Sequence, residues 1–145
     1  MKIIKAVYKT SAVDKKGLLN DGLPEFAFVG RSNVGKSSLI NSLTNIKRLA
    51  KTSSTAGLTK MVNYFEINDS FRFVDLPGYG FAKVGKGHLD VWASLMAEYL
   101  QGSQSLLTVF VLLDCRITPT NLDKDMITYL IYHNIPFRLV ATKCD

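Results

Sequence analysis

Cysteine is almost missing from this chain, with only Cys115 and Cys144 among 145 residues. Two such residues make no disulfide framework and no metal-binding spacing, and both are expected as small buried hydrophobes in a reducing cytosol. Histidine is as scarce: His88 and His133 have no metal-ligand neighbours at useful spacing and read as surface or helix-end residues. No apolar run approaches the roughly 20 residues that span a bilayer. The opening "MKIIKAVYKT" alternates apolar and basic residues and lacks an export-type apolar stretch. Repeats and low-complexity tracts are absent too. These gaps argue against a secreted disulfide scaffold, a metal centre built on Cys and His, and a membrane partner, and they place the protein in the cytoplasm. A further gap is local. Between Glu25 and Glu66 there is no acidic residue, while Arg31, Lys36, Lys47, Arg48, Lys51 and Lys60 all lie there, in a chain of net charge +6. Phosphate suits such a stretch, as a bound nucleotide or a nucleic-acid backbone.

What is present is an ordinary globular composition, 47% hydrophobic over 145 residues, enough for one domain with a real core. "KIIKAVY", "EFAFVG", "MVNYFEI", "FRFVD", "LLTVFVLLD" and "FRLVAT" are short, β-branched or aromatic, and bounded by turn residues, which predicts strands. Helical patterns lie between them: one from Lys36 to Thr44, one carrying Leu89, Trp92, Met96 and Tyr99, and one with Leu122, Met126 and Leu130. The third is expected to start at Thr118-Pro119, a cap followed by a proline in the first turn. Strands alternating with helices predict a three-layer α/β fold around a mostly parallel sheet. "MVNYFEINDSFRFVD" reads instead as a hairpin turning at Asn68-Asp69, so one edge is expected to be antiparallel. The Trp92, Met96, Tyr99 stripe is expected in the core. Two long irregular stretches, Lys47 to Lys60 and Pro77 to Gly87, are rich in Gly, Ser, Thr and Lys, as functional loops are.

Three motifs carry chemistry. Gly30-Arg31-Ser32-Asn33-Val34-Gly35-Lys36-Ser37 fits G-x-x-x-x-G-K-[ST] and sits between a predicted strand and a predicted helix, the context a phosphate loop demands. Small residues let backbone N–H groups curl around a phosphate, and the helix N-terminus adds partial positive charge. Lys36 would reach the β- and γ-phosphates and act in catalysis; the Ser37 hydroxyl would hold Mg²⁺, beside Ser38. Asp75-Leu76-Pro77-Gly78 ends the strand "FRFVD". A bare D-x-x-G is weak evidence, but here its carboxylate stands at a strand's C-terminal end, where it can serve Mg²⁺ while the Gly78 N–H reaches a γ-phosphate. Thr142-Lys143-Cys144-Asp145 closes the last strand. Guanine presents N1–H and N2–H₂ side by side, a match for the two oxygens of Asp145, whereas adenine would leave that carboxylate unpaired. The Lys143 stem can lie across the base.

With these motifs in order, the sequence resembles a GTPase of the translation-factor-related class. "GRSNVGKSSLIN", "DLPGYGFAKV", "VWASLMAEYL", "LLDCRITPTNLDKDM" and "TKCD" are together very similar to the EngB family of ribosome-biogenesis GTPases, from about Glu25 to Asp145. The resemblance implies a P-loop GTPase domain that binds GTP and GDP with Mg²⁺, hydrolyses GTP slowly, and acts as a GTP-gated, monomeric assembly factor for the large ribosomal subunit, touching ribosomal RNA and supporting normal septation. It also implies that "SSTAGLTKMVNYF" is switch I, with Thr59 as its Mg²⁺-binding threonine and Thr55 as a second candidate, although Ala56 and Leu58 replace the usual proline and basic residue. Asn33 matches a loop asparagine that contacts K⁺ in related GTPases. Tyr79 stands where Ras-like proteins carry a water-orienting glutamine. The family continues past Asp145 with a further helical segment, a last strand, a loop supporting guanine O6 and a C-terminal helix. The chain 1–145 therefore reads as one G domain truncated after its guanine-recognition motif, with "FRLVAT" left as an open edge. Two rival readings are a P-loop enzyme of another class, such as a nucleotide kinase, and an RNA-binding module with a vestigial nucleotide site. No arginine-rich lid follows to support the first, and intact Lys36, Ser37, Asp75 and Asp145 speak against the second.

Overall fold

A computed structural model describes residues 1–51, 61–79 and 86–144, the side chains of 86–92 excepted. Within these residues six strands form one sheet in the order β1-β3-β4-β2-β5-β6. These are β1 (Ala6–Ala12), β2 (Glu25–Gly30), β3 (Val62–Ile67), β4 (Phe71–Asp75), β5 (Leu106–Asp114) and β6 (Phe137–Thr142). β2 pairs in parallel with β4 and β5, and β5 with β6. The hairpin expected at Asn68-Asp69 is there: both residues have φ of 52°, the left-handed pair that a tight hairpin turn requires. It joins β3 antiparallel to β4, and β1 then pairs antiparallel with β3, so the antiparallel region lies at one edge.

Among the described residues, three α-helices pack on the sheet: α1 (Lys36–Thr44), α2 (Lys86–Gly102) and α3 (Asn121–Tyr132). Side chains alternate across each strand, so neighbouring residues of β2 feed opposite cores. Ala27 and Val29 pack with Leu95, Met96 and Tyr99 of α2 and Leu130 of α3. Phe28 packs with Ile40 of α1, alongside Phe65 and Phe73. The three-layer α/β architecture is the one the sequence implied. Among the described residues, no helix is long and apolar enough to cross a membrane.

The structure corrects three expectations. The first strand is Ala6–Ala12, not "KIIKAVY", because its register is set by pairing with β3, Ala6 opposite Ile67 and Ala12 opposite Val62. The third helix starts after Thr120, not at Thr118-Pro119. Thr120 Oγ1 accepts from the Asp123 backbone N–H at 3.3 Å, and Asp123 Oδ2 accepts from the Thr120 N–H at 2.9 Å, a reciprocal capping box that outcompetes the proline signal. Cys115 and Cys144 are neither buried nor free; both are exposed and joined by a disulfide, their Cα atoms 5.6 Å apart. The parallel register puts Asp114 opposite Thr142, and the Cys115 N–H donates to the Thr142 carbonyl at 3.0 Å, so the residues just past both strand ends meet.

Candidate functional site

Parallel strands end together, and here β2, β4, β5 and β6 bring Gly30, Asp75, Asp114 and Thr142 to one rim of the sheet. Open α/β sheets place ligand crevices outside such carboxyl ends. A cleft of about 930 Å³ opens there, lined by residues 31–38 of the phosphate loop, Asp75–Gly78, Arg48, Lys51 and Lys143.

The loop leaves β2 at Gly30 and enters α1 at Gly35, whose φ of 107° is a conformation that side-chain-bearing residues rarely adopt. Gly35 is the N-cap and supplies no side-chain hydrogen bond, so the first-turn N–H groups of α1 face the cleft without that cap. Such a terminus is an anion cradle. Lys36 Nζ lies inside and pairs with the Asp75 carboxylate, with side chains 13% and 9% exposed. Ser37 Oγ, one residue on, donates to the Lys51 carbonyl at 3.1 Å. A hydroxyl and a carboxylate at one wall of an anion cradle are the hard oxygen donors Mg²⁺ takes alongside phosphate oxygens. The donor set thus fits Mg²⁺, although no cluster of three or more His, Cys, Asp or Glu occurs among the described residues.

The other motifs close on the same loop. Gly78 packs so tightly that a Cβ there would lie 3.3 Å from both N and Cα of Ser32. Thr142 Oγ1 donates to the Val34 carbonyl at 2.8 Å and also lies 3.2 Å from the Leu113 carbonyl. Lys143, at φ 60°, donates from Nζ to the Asn33 carbonyl at 2.7 Å, and Asn33 itself is exposed at φ 65°. Gly30, Arg31, Ser32, Asn33, Val34, Gly35, Lys36, Ser37, Ser38, Asp75, Gly78, Thr142 and Lys143 therefore stand together. Thr55, Thr59 and Asp145 lie outside the described residues.

Sequence reasoning missed how the start of the second loop is held. Tyr79 is 3% exposed, and its hydroxyl donates to Asp123 Oδ1 of α3 at 2.6 Å. Residues 79 and 123 are too far apart in sequence for any spacing rule to pair them. It also missed the clamp that leads into the first loop: Asn41 of α1 accepts from the Ala50 N–H at 2.7 Å and donates to its carbonyl at 2.9 Å. A side-chain amide bonded to both groups of one backbone residue acts as a strand partner would.

Comparison with known proteins bears on this site. A family model described as a 50S ribosome-binding GTPase matches residues 25–143. The chain is 49% identical over all its 145 residues to a probable GTP-binding protein EngB of Chlorobium luteolum, of which it covers 70%. It is 52% identical over 146 aligned positions to one of Desulforamulus reducens, of which it covers 71%. A crystal structure of a probable GTP-binding protein engB superposes on 82% of this chain and 70% of its own, with a TM-score of 0.69 at 22% identity, a likeness of fold.

Proposed function

We propose a function from one premise: the chain belongs to the EngB family of GTP-binding proteins. The proposal is that it binds guanine nucleotide in the cleft at the strand ends, hydrolyses GTP slowly in isolation, and uses the GTP-bound form to gate docking on a large ribosomal subunit precursor in the cytoplasm. A role in septation would follow from that. The observation that carries this reading is the convergence of Lys36, Asp75, Thr142 and Lys143 on one glycine-rich loop.

In this reading the α1 N-terminus and the loop N–H groups hold the β-phosphate, and Lys36 neutralises charge that grows on the transferring phosphoryl group. Bound Mg²⁺ would supply Lewis-acid stabilisation of that charge. Ser37 and Asp75 would hold it, joined by Thr59 from the first switch loop, with Thr55 the alternative. Gly78 donates its N–H to the γ-phosphate. Thr142 and Lys143 brace the loop from below while Asp145 reads guanine. Asn33 is the residue the resemblance assigns to K⁺, and comparing hydrolysis in KCl and NaCl tests it.

Base choice gives the decisive experiment. Labelled GTP is expected to bind and ATP to fail, and Asp145→Asn is expected to weaken GTP while favouring xanthosine triphosphate, whose O2 can accept from an amide N–H. Direct competition binding measures both. Equal GTP and ATP affinity in the parent protein would overturn the guanine assignment.

Ribosomal RNA binding is proposed from the basic stretch. Lys47, Arg48 and Lys51 are exposed, and the latter two border the cleft; Lys60 lies outside the described residues. Replacing all four with alanine is expected to lower the log–log salt slope of large-subunit binding by roughly 0.7 to 0.9 for each RNA phosphate no longer neutralised. Co-sedimentation across several salt concentrations checks this, and an unchanged slope would remove these residues from the interface.

A further inference from the structure

Tyr79 is held from both ends. Its backbone is stitched to the phosphate loop: the Tyr79 N–H donates to the Gly30 carbonyl at 3.1 Å, and its own carbonyl accepts from the Ser32 N–H at 2.9 Å and from Ser32 Oγ at 3.3 Å. Its ring is buried among core residues of the face that carries α2 and α3. At the far end the hydroxyl donates to Asp123 Oδ1 at 2.6 Å. Asp123 is itself fixed, because its other oxygen accepts from the Thr120 N–H at 2.9 Å and lies 3.1 Å from Thr120 Oγ1. Burial first, and then the neighbouring Asp123, push the Tyr79 phenol well above the ordinary tyrosine range, so the hydroxyl stays a donor at any working pH.

The cleft is lined by Asp75, Leu76, Pro77 and Gly78, and the side chain of Tyr79 does not take part. Tyr79 therefore cannot orient an attacking water, and its chemistry must act through its neighbours. The neighbour that matters is Gly78, one peptide away, which has no side chain to fix its own position and lies close against Ser32.

Resting on the reading of the cleft as a guanine-nucleotide site, we propose that Asp123 and Tyr79 are positioning residues, which hold the Gly78 N–H where it meets a γ-phosphate and so set the affinity for GTP relative to GDP. The helix α3 N-terminus is the fixed point. The Tyr79 ring is a rigid spacer, and the phosphate loop is the surface against which Gly78 is pressed. A nucleoside diphosphate has no group at that position, so its affinity does not depend on the anchor.

Tyr79→Phe removes one oxygen and keeps the ring in the core. Affinity for GDP is expected to stay within about twofold, while affinity for a non-hydrolysable GTP analogue falls about 5- to 10-fold, the scale of one well-placed hydrogen bond. Asp123→Ala, which removes the acceptor oxygen, is expected to show the same selective loss. Combining the two changes is expected to add little, since both break the same link. An anchor that served folding alone would lower thermal stability and shift both nucleotides equally, leaving the GTP-to-GDP ratio at the parent value. That ratio, measured by titration of both nucleotides, overturns the proposal if unchanged in Tyr79→Phe. A parent protein that bound neither nucleotide would instead defeat the reading of the site itself.

Discussion

Lys36→Ala is expected to lower the rate of GTP hydrolysis by about 100- to 1,000-fold, the loss typical of removing one preorganised charge-stabilising donor from a site. Two features make the effect large. The ammonium is only partly exposed, at 13%, on the floor of the cleft, so water cannot replace it well. Its partner there is Asp75, whose side chain is 9% exposed and is left without its cation by the substitution. In the proposed reading GDP affinity should fall as well, because the cation would serve ground-state phosphate and transition state alike. Lys36→Arg should not restore activity: a planar guanidinium is larger than an ammonium and cannot take its place as a point charge. Single-turnover release of phosphate from γ-labelled GTP measures the step directly. A Lys36→Ala protein within threefold of the parent would show that the transferring phosphate lies elsewhere.

Arg72→Met should unfold the chain far more easily, at a cost of about 3–5 kcal/mol. Arg72 is 2% exposed near the start of β4, where its guanidinium is shared among Asp21, Glu25 and Glu66. Its two terminal nitrogens donate to the two oxygens of Asp21 at 2.7 and 2.6 Å. One of them also donates to Glu66 at 3.0 Å, and the other lies 3.6 Å from Glu25. Glu25 is 1% exposed and accepts from the Tyr99 hydroxyl at 2.8 Å, a neutral donor. Without the arginine, Glu25 remains buried with that neutral partner and no cation. Against a total stability of about 5–15 kcal/mol for a domain, the loss should lower Tm by about 10 °C or more.

The pH dependence of that defect has a definite sign. Burial raises the Glu25 carboxyl above its ordinary value of 4.5, a shift that Tyr99 and Arg72 partly counter. A raised acid binds more protons when folded, so its ionisation lowers stability as pH climbs from the unfolded value through the folded one. Removing Arg72 removes a counterweight and makes that decline steeper. Asp21 is held well below the usual range, first by its hydrogen bonds to Arg72, and so contributes stability above the unfolded carboxylate range that is lost on acidification. The exposed position of Asp21 keeps its share small. Both effects make the gap between parent and Arg72→Met wider at pH 7 than near pH 4. Adding Glu25→Gln should recover part of the loss at neutral pH, which urea unfolding at the two pH values can measure.

Much of the site was legible because it is made of local pieces. A strand, a glycine-rich turn and a helix are neighbours in sequence, so the phosphate loop could be read from Gly30 to Ser38 with its helix ending at Thr44, where α1 does end. The hairpin at Asn68-Asp69 was visible for the same reason: two residues that tolerate positive φ lie between two apolar runs. Helix starts were less secure. Thr118-Pro119 was the expected cap, and the helix starts after Thr120 instead because Asp123, whose carboxylate serves both the capping box and Tyr79, completes the cap there. A hydrogen bond from outside the helix thus helps settle where the helix begins.

By itself, the sequence determined the alternation of strands and helices, the burial of the central strands β2 and β4, and the chemical identity of the groups at the sheet's rim. Those follow from periodicity and from residue type, which act over a few neighbours. Only the tertiary structure decided which rim groups touch. The strand order places β4, β2, β5 and β6 side by side, and from that come Lys36 against Asp75, Lys143 against Asn33, and Tyr79 against Asp123. The same order turned two scarce cysteines, expected to be buried and separate, into an exposed bonded pair at the ends of β5 and β6. It also assembled the charged cluster around Arg72 from β2, β3, β4 and the turn at Asp21. Pairings of this kind depend on register between strands distant in sequence, and a one-residue slip would reverse every side chain involved. Local pattern carries no record of that register, because the energy selecting it is burial gathered from many strands at once, most of all in β2, β3 and β4.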